Sequence, residues 1–115
     1  MEIVRHESNG RMSKAVIYNN TLYVSGQTAS GVEGDIKTQT RAVLEKIEKI
    51  LLQYGSGKDK LLSATIYLKD INLFQEMNSV WDNWVLPGNE PARATVEAAL
   101  AASSLLVEIS VIAAV

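Results

Sequence analysis

The run Leu105–Val115 is apolar on both faces of a strand. By the two-residue period of a strand, Leu105, Val107, Ile109, Val111 and Ala113 share one face. Leu106, Ile112 and Ala114 share the other, and only Glu108 carries a charge. A strand that is apolar on both sides needs cover on both sides. The rest of the chain must therefore supply at least one layer over a sheet.

Two amphipathic helices can form that layer. Asp35 can cap the first, in which Ile36, Thr40, Val43, Leu44, Ile47, Ile50, Leu51 and Tyr54 recur at helical spacing and Gly55 provides the stop. Asp70 or Asn72 can cap the second, whose apolar positions are Leu73, Phe74, Met77, Val80, Trp81, Trp84 and Val85, before Pro87-Gly88 ends it. Glu2–Glu7 reads as a short strand. Ala15–Tyr18 and Thr21–Ser25 flank Asn19-Asn20, a pair suited to a two-residue hairpin turn. In Leu61–Leu68, Leu62, Ala64, Ile66 and Leu68 are expected on one face. Pro91–Ala98 and Leu105–Val115 complete the order β-β-β-α-β-α-β-β, with Ala101–Ser104 as a turn. One sheet with both helices on one face accounts for these elements as a single α+β domain over residues 1–115. The second sheet face then falls to other subunits.

Composition narrows the chemistry. The 115 residues are 47% hydrophobic and 21% charged, ordinary globular usage. Eleven Lys and Arg against 13 Asp and Glu give a net charge of -2. No basic cluster offers a footprint for nucleic acid. With no cysteine and the single histidine His6, thiolate chemistry, cysteine-ligated zinc and paired-histidine metal sites have nothing to draw on. His6, among charged residues, is expected to be exposed. The first residues, MEIVRHESNG, hold no apolar signal core, and the uncharged stretch from Ala98 to Val107 is far below the roughly 20 residues of a membrane span. A cytoplasmic domain is the expectation.

Two charges interrupt apolar strands: Arg93 in EPARATVEAAL and Glu108 in LLVEISVIAAV. Such charges are costly unless paired or solvated. If the last two strands form a hairpin centred between Leu100 and Ala101, Arg93 falls opposite Glu108, with Thr95 on the same wall. One reading is a structural ion pair at a subunit interface. The other is a site for a small carboxylic acid, with the planar guanidinium binding the carboxylate and Glu108 exchanging protons. Ser25-Gly26-Gln27 follows a strand, either as a plain turn or as a place where glycine lets a ligand approach. Asn78 is either a boundary residue or reaches a pocket. Trp81 and Trp84 read as core or interface. Gly26, Gly31 and Gly34 fit neither phosphate-loop pattern.

Pro91-Ala92-Arg93-Ala94-Thr95-Val96-Glu97, followed by Val107-Glu108-Ile109, resembles the signature of the reactive intermediate deaminase (Rid, YjgF) superfamily. Val24-Ser25-Gly26-Gln27, Ala64–Asp70 and Met77-Asn78 also match its pattern, and Arg11–Val16 resembles the small YoaB-type branch. The resemblance implies a chorismate-mutase-like fold, one mixed sheet with two helices on one face, and a homotrimer with clefts between subunits. It implies hydrolysis of enamines and imines such as 2-aminoacrylate to 2-oxo acids and ammonia, with no metal or organic cofactor. By position, Arg93 matches the arginine that holds the substrate carboxylate, and Glu108 the acid that orients or activates water. Ser25, the backbone at Gly26, and Asn78 match pocket-lining positions. Met12 stands where the family often has a pocket tyrosine, and Thr95 where founding members often have cysteine. A changed pocket and substrate preference follow from Met12; Thr95 can still donate a hydrogen bond.

Three functions can be weighed. The first is an enamine/imine deaminase using Arg93 and Glu108. The second is a non-enzymatic binder or sensor of small 2-oxo or amino acids at the same arginine. The third, a nuclease or translation inhibitor, is opposed by the acidic charge balance.

Overall fold

The computed structural model describes residues 2–115. Its elements are β1 (Val4–His6), β2 (Ala15–Tyr18), β3 (Thr21–Thr28), α1 (Ile36–Gln53), β4 (Leu61–Leu68), α2 (Phe74–Trp84), β5 (Ala92–Glu97) and β6 (Val107–Ala114). The element order is the one the sequence predicts. The six strands form one sheet in the order β1-β2-β3-β6-β4-β5. Neighbours are antiparallel except β4 and β5, which are parallel and joined through α2. The sheet is therefore mixed, with α1 and α2 on one side. No helix among the described residues is long and apolar enough to cross a membrane.

Local chemistry explains the boundaries. Asn19 and Asn20 both adopt positive φ, 54° and 58°, and close the β2–β3 hairpin. Asp35 caps α1 by accepting the Thr38 N–H at 2.9 Å. The helix ends at Gly55, φ +83°, where the Ser56 N–H reaches the Leu51 carbonyl and the Gly55 N–H reaches Leu52. That paired arrangement needs a residue in the left-handed region, which glycine enters without steric cost. Asp70 caps only a single turn, Ile71–Leu73, that leads into α2.

The core lies between the helices and the sheet. Val43, Leu44, Ile47 and Leu51 of α1 and Met77, Val80 and Trp81 of α2 meet Leu22, Val24, Ala64, Ile66, Leu68, Val107, Ile109 and Val111. Each fully buried Leu or Ile contributes roughly 1.5–3 kcal/mol. β6 lies between β3 and β4, the central position suited to a strand apolar on both faces. Its residues alternate between buried on the helix side and half-buried on the open side. Tyr23 and Val96, at 44% and 43% exposure, also lie on that open side, with the half-buried Val16, Tyr67 and Ile112.

Three expectations need correction. The last two strands do not form a hairpin: β4 lies between them. The α2 crossover brings β5 alongside β4 in parallel, and the 98–106 connection arches over the end of β4. The Leu68 carbonyl accepts from the Ala98 N–H, and the Lys69 N–H donates to the Leu106 carbonyl. Leu62 does not share the buried face of Ala64, Ile66 and Leu68, because the register against β6 shifts between Leu61 and Ser63. Leu61 takes the buried place and Leu62 is 50% exposed. His6 is half-buried rather than exposed, its ring stacked on Tyr54 at 4.4 Å.

Candidate functional site

The expected site residues fall into two groups on opposite faces of the sheet. Arg93 is level with Ala64 of β4, on the helix side. Glu108 is level with Tyr67 of β4 and Thr28 of β3, on the open side. Within one chain Arg93 and Glu108 share no wall and form no ion pair. The hairpin register that placed them together fails because β4 separates their strands.

The first group surrounds Arg93. Its Nη1 donates to Asn78 Oδ1 at 2.8 Å. Its guanidinium lies 5.3 Å from the Trp81 ring and 5.8 Å from the Phe74 ring, both within cation–π range. Thr95 is on the same face of β5, two residues along, and its Oγ1 is buried without a partner. Desolvation disfavours the charged form of Arg93 and lowers its pKa, while the field of Asp82 opposes that shift. A guanidinium remains protonated at any physiological pH. Among the described residues the ion pairs are Lys14–Glu7 and Lys49–Glu45, so no carboxylate stands within 4.0 Å of Arg93. The group is a fixed, partly desolvated cation beside an unfilled hydroxyl. A guanidinium held this way can pair with a carboxylate through its planar fork.

The second group surrounds Glu108. β3 carries a register shift between Val24 and Gln27, which places Ser25 and Gly26 in a bulge. A Cβ on Gly26 would overlap the Glu108 carboxylate, with Cδ at 3.0 Å. Glycine is needed here for that close approach. The Ser25 N–H donates to the Lys14 carbonyl at 3.0 Å, and Ser25 Oγ accepts from Gln27 Nε2 at 3.3 Å. Met12 lies in the turn before β2, where the Arg11 and Met12 N–H groups both donate to Asn9 Oδ1, and it is 53% exposed. A carboxylate on an open face beside a glycine bulge can hold a water or accept a proton.

Asn78 therefore reaches the candidate site rather than standing as a boundary residue. Phe74 and Trp81 are members of the Arg93 group that sequence reasoning assigned only to the apolar stripe of α2. The signal was present: Phe74, Asn78 and Trp81 are spaced i, i+4, i+7, one stripe of a helix. What was missing was the strand they face.

The chain has counterparts in sequence and fold. Residues 2–115 match the family profile described as Endoribonuclease L-PSP. The chain is 44% identical over 115 residues to the RutC family protein YoaB of Escherichia coli K12, covering 100% of both. A crystal structure of a YjgF-family protein from Neisseria meningitidis superposes with a TM-score of 0.95 at 41% identity, covering 99% of this chain and 95% of that one. The Rid-family protein YyfA from Yersinia pestis, described as of unknown function, superposes with a TM-score of 0.86 at 40% identity, covering 94% of this chain and 90% of that one.

Proposed function

The chain belongs to the endoribonuclease L-PSP family, the YjgF/Rid family, and from that premise we propose that it hydrolyses reactive 2-imino acids and their enamine tautomers, such as 2-aminoacrylate, to 2-oxo acids and ammonia. Family membership supports a deaminase-type role in general. The observation that carries the finer reading is Arg93: a partly desolvated guanidinium fixed by Asn78, Phe74 and Trp81, with no carboxylate of its own. A ligand carboxylate supplies the missing counterion. Thr95 Oγ1 is a free hydrogen-bonding group beside it.

The reaction asks little of the protein. An imine carbon is already electrophilic. Water adds to it, a proton moves to nitrogen, the C–N bond breaks, and ammonia leaves a 2-oxo acid. Fixing the carboxylate supplies orientation. Glu108 serves as the group that aligns the water and accepts its proton. Ser25 and Gly26 line the approach beside it, and Met12 shapes the rim. No metal or organic cofactor enters this scheme.

The site is proposed to form between copies of the chain in a homotrimer. Arg93 and Glu108 lie on opposite faces of one sheet, so one chain cannot present both to one ligand. The open face carries half-exposed apolar side chains that a second copy would cover. A symmetric assembly joins the Arg93 group of one copy to the Glu108 group of the next. The absence of cysteine fits a reducing, cytoplasmic setting.

The test is release of 2-oxo acid from imines generated in place by an amino-acid oxidase. Acceleration over buffer by the wild type, lost in Arg93→Ala, is expected. No acceleration across a panel of imines would overturn the deaminase. A second reading, a binder of small 2-oxo or amino acids, is favoured by one observation: the Arg93 group is complete without Glu108. In that case Glu108→Gln binds ligand as the wild type does, and neither protein turns it over. A nucleic-acid role conflicts with the net charge of -2 and the lack of a basic cluster in the sequence.

A further inference from the structure

An arginine inside a protein is usually fixed by a carboxylate, and a carboxylate so used occupies the guanidinium fork. Arg93 is fixed differently. Phe74, Asn78 and Trp81, one stripe of α2, all reach it, and none carries a charge. Trp81 is only 5% exposed, so its ring is locked by the core. Asp82, whose field reaches Arg93, is exposed and beyond ion-pair distance.

We propose that Phe74, Asn78 and Trp81 form a neutral cradle, with Phe74 and Trp81 as positioning residues that fix the Arg93 guanidinium while leaving its charge for a monocarboxylate ligand. This inference rests on the reading in which Arg93 binds the ligand carboxylate. Two aromatic faces restrict the plane of the guanidinium without taking its hydrogen-bond donors. The Asn78 amide oxygen takes one donor on Nη1 and adds no charge. Among the described residues the remaining donors make no other hydrogen bond, which leaves them for a ligand. The cradle therefore separates two properties that a carboxylate partner would join, orientation and neutralisation. A ligand with one carboxylate completes the charge balance.

The cradle is tested with 15N-arginine NMR and titration with 2-oxobutanoate on the same samples. In the wild type and in Trp81→Phe, rotation about the Arg93 Cζ–Nη bonds is expected to be slow. In Trp81→Leu it is expected to average, with 2-oxobutanoate binding about tenfold weaker. Phe74→Leu, at a half-buried position, gives the same direction with less risk to the fold. Asn78→Asp is expected to keep the guanidinium ordered yet lose affinity about tenfold or more, because it supplies an internal counterion. Slow rotation retained in both leucine variants would overturn the positioning role. Wild-type affinity in Asn78→Asp would overturn the neutrality argument. A wild type that orders Arg93 but does not bind 2-oxobutanoate would leave the positioning role intact and overturn both the monocarboxylate assignment and the carboxylate reading on which the proposed function depends.

Discussion

Arg93 and Glu108 face opposite sides of one sheet, with β4 between their strands: Arg93 is level with Ala64 and Glu108 with Tyr67. The two groups that a carboxylate-binding hydrolase would need are therefore both present and apart. A site that uses both has to be assembled from two copies.

Subunit complementation follows from that separation. Arg93→Ala and Glu108→Gln are each expected to be inactive alone. Unfolded together and refolded as mixed oligomers, they are expected to regain activity, because in the proposed cyclic trimer one interface of each mixed assembly joins an intact Arg93 to an intact Glu108. About one site in three per mixed trimer is the expected ceiling. Imine hydrolysis by the mixture checks it, and a mixture as inactive as its parts would refute the shared site.

Gly26→Ala forces a Cβ into the Glu108 carboxylate. The bulge or Glu108 must shift. The expected cost is about 1–3 kcal/mol in stability, with a larger proportional loss of turnover than of Arg93-dependent binding. Denaturant titration and the imine assay, run side by side, separate the two effects.

Much of this was legible in the sequence. The α1 stripe from Ile36 to Leu51 has the burial its spacing predicts, because a long helix with one apolar face has one way to pack. Asn19-Asn20, Asp35 and Gly55 act where turn and cap chemistry place them. The partners of β6 were not legible. Hydrophobic period fixes which residues share a face of a strand, not which strand lies beside it. The hairpin between β5 and β6 looked natural by sequence distance, and the α2 crossover made β5 a neighbour of β4 instead. Leu62 was misplaced for a related reason, since a single bulge inverts the alternation. Arg93 and Glu108 stand out as charges in apolar strands and Thr95 by its place beside Arg93, while Ser25, Gly26 and Asn78 enter as candidates mainly through the family resemblance. The division of these candidates between two faces was not legible.

The open face gives a separate prediction. Tyr23 and Val96 are exposed on the side opposite the helices. Tyr23→Glu or Val96→Glu is expected to shift the protein toward a monomer in light scattering while the far-ultraviolet dichroism stays unchanged. A charge on a face buried between subunits has no partner there and carries a desolvation cost. Unchanged oligomer size in both variants would remove this face as the interface.

The pH dependence of stability has a definite sign at the acid edge. The backbone N–H of Thr38 donates to the Asp35 carboxylate and holds its pKa below the usual aspartate value. Hydrogen bonds from Tyr54 and Lys14 do the same for Glu7. A carboxyl whose folded pKa is depressed adds stability above its unfolded value, about 4 for these groups. That contribution is lost as the pH falls through the lower folded value. Tyr54 runs the other way: its hydrogen bond to Glu7 raises its pKa, so its contribution is present below the usual tyrosine range and fades as the pH rises through the raised value. Asp35→Ala is therefore expected to lower the thermal midpoint at neutral pH, with the difference from wild type shrinking as the solution is acidified through the carboxylate range. Tyr54→Phe lowers the midpoint at neutral pH, and its difference from wild type shrinks toward both edges, as Glu7 is protonated at one and the phenol ionises at the other. Thermal melts of both variants across that range check the assignment. A constant offset for Asp35→Ala at every pH would show that its cap acts through packing rather than through the charge of its carboxylate.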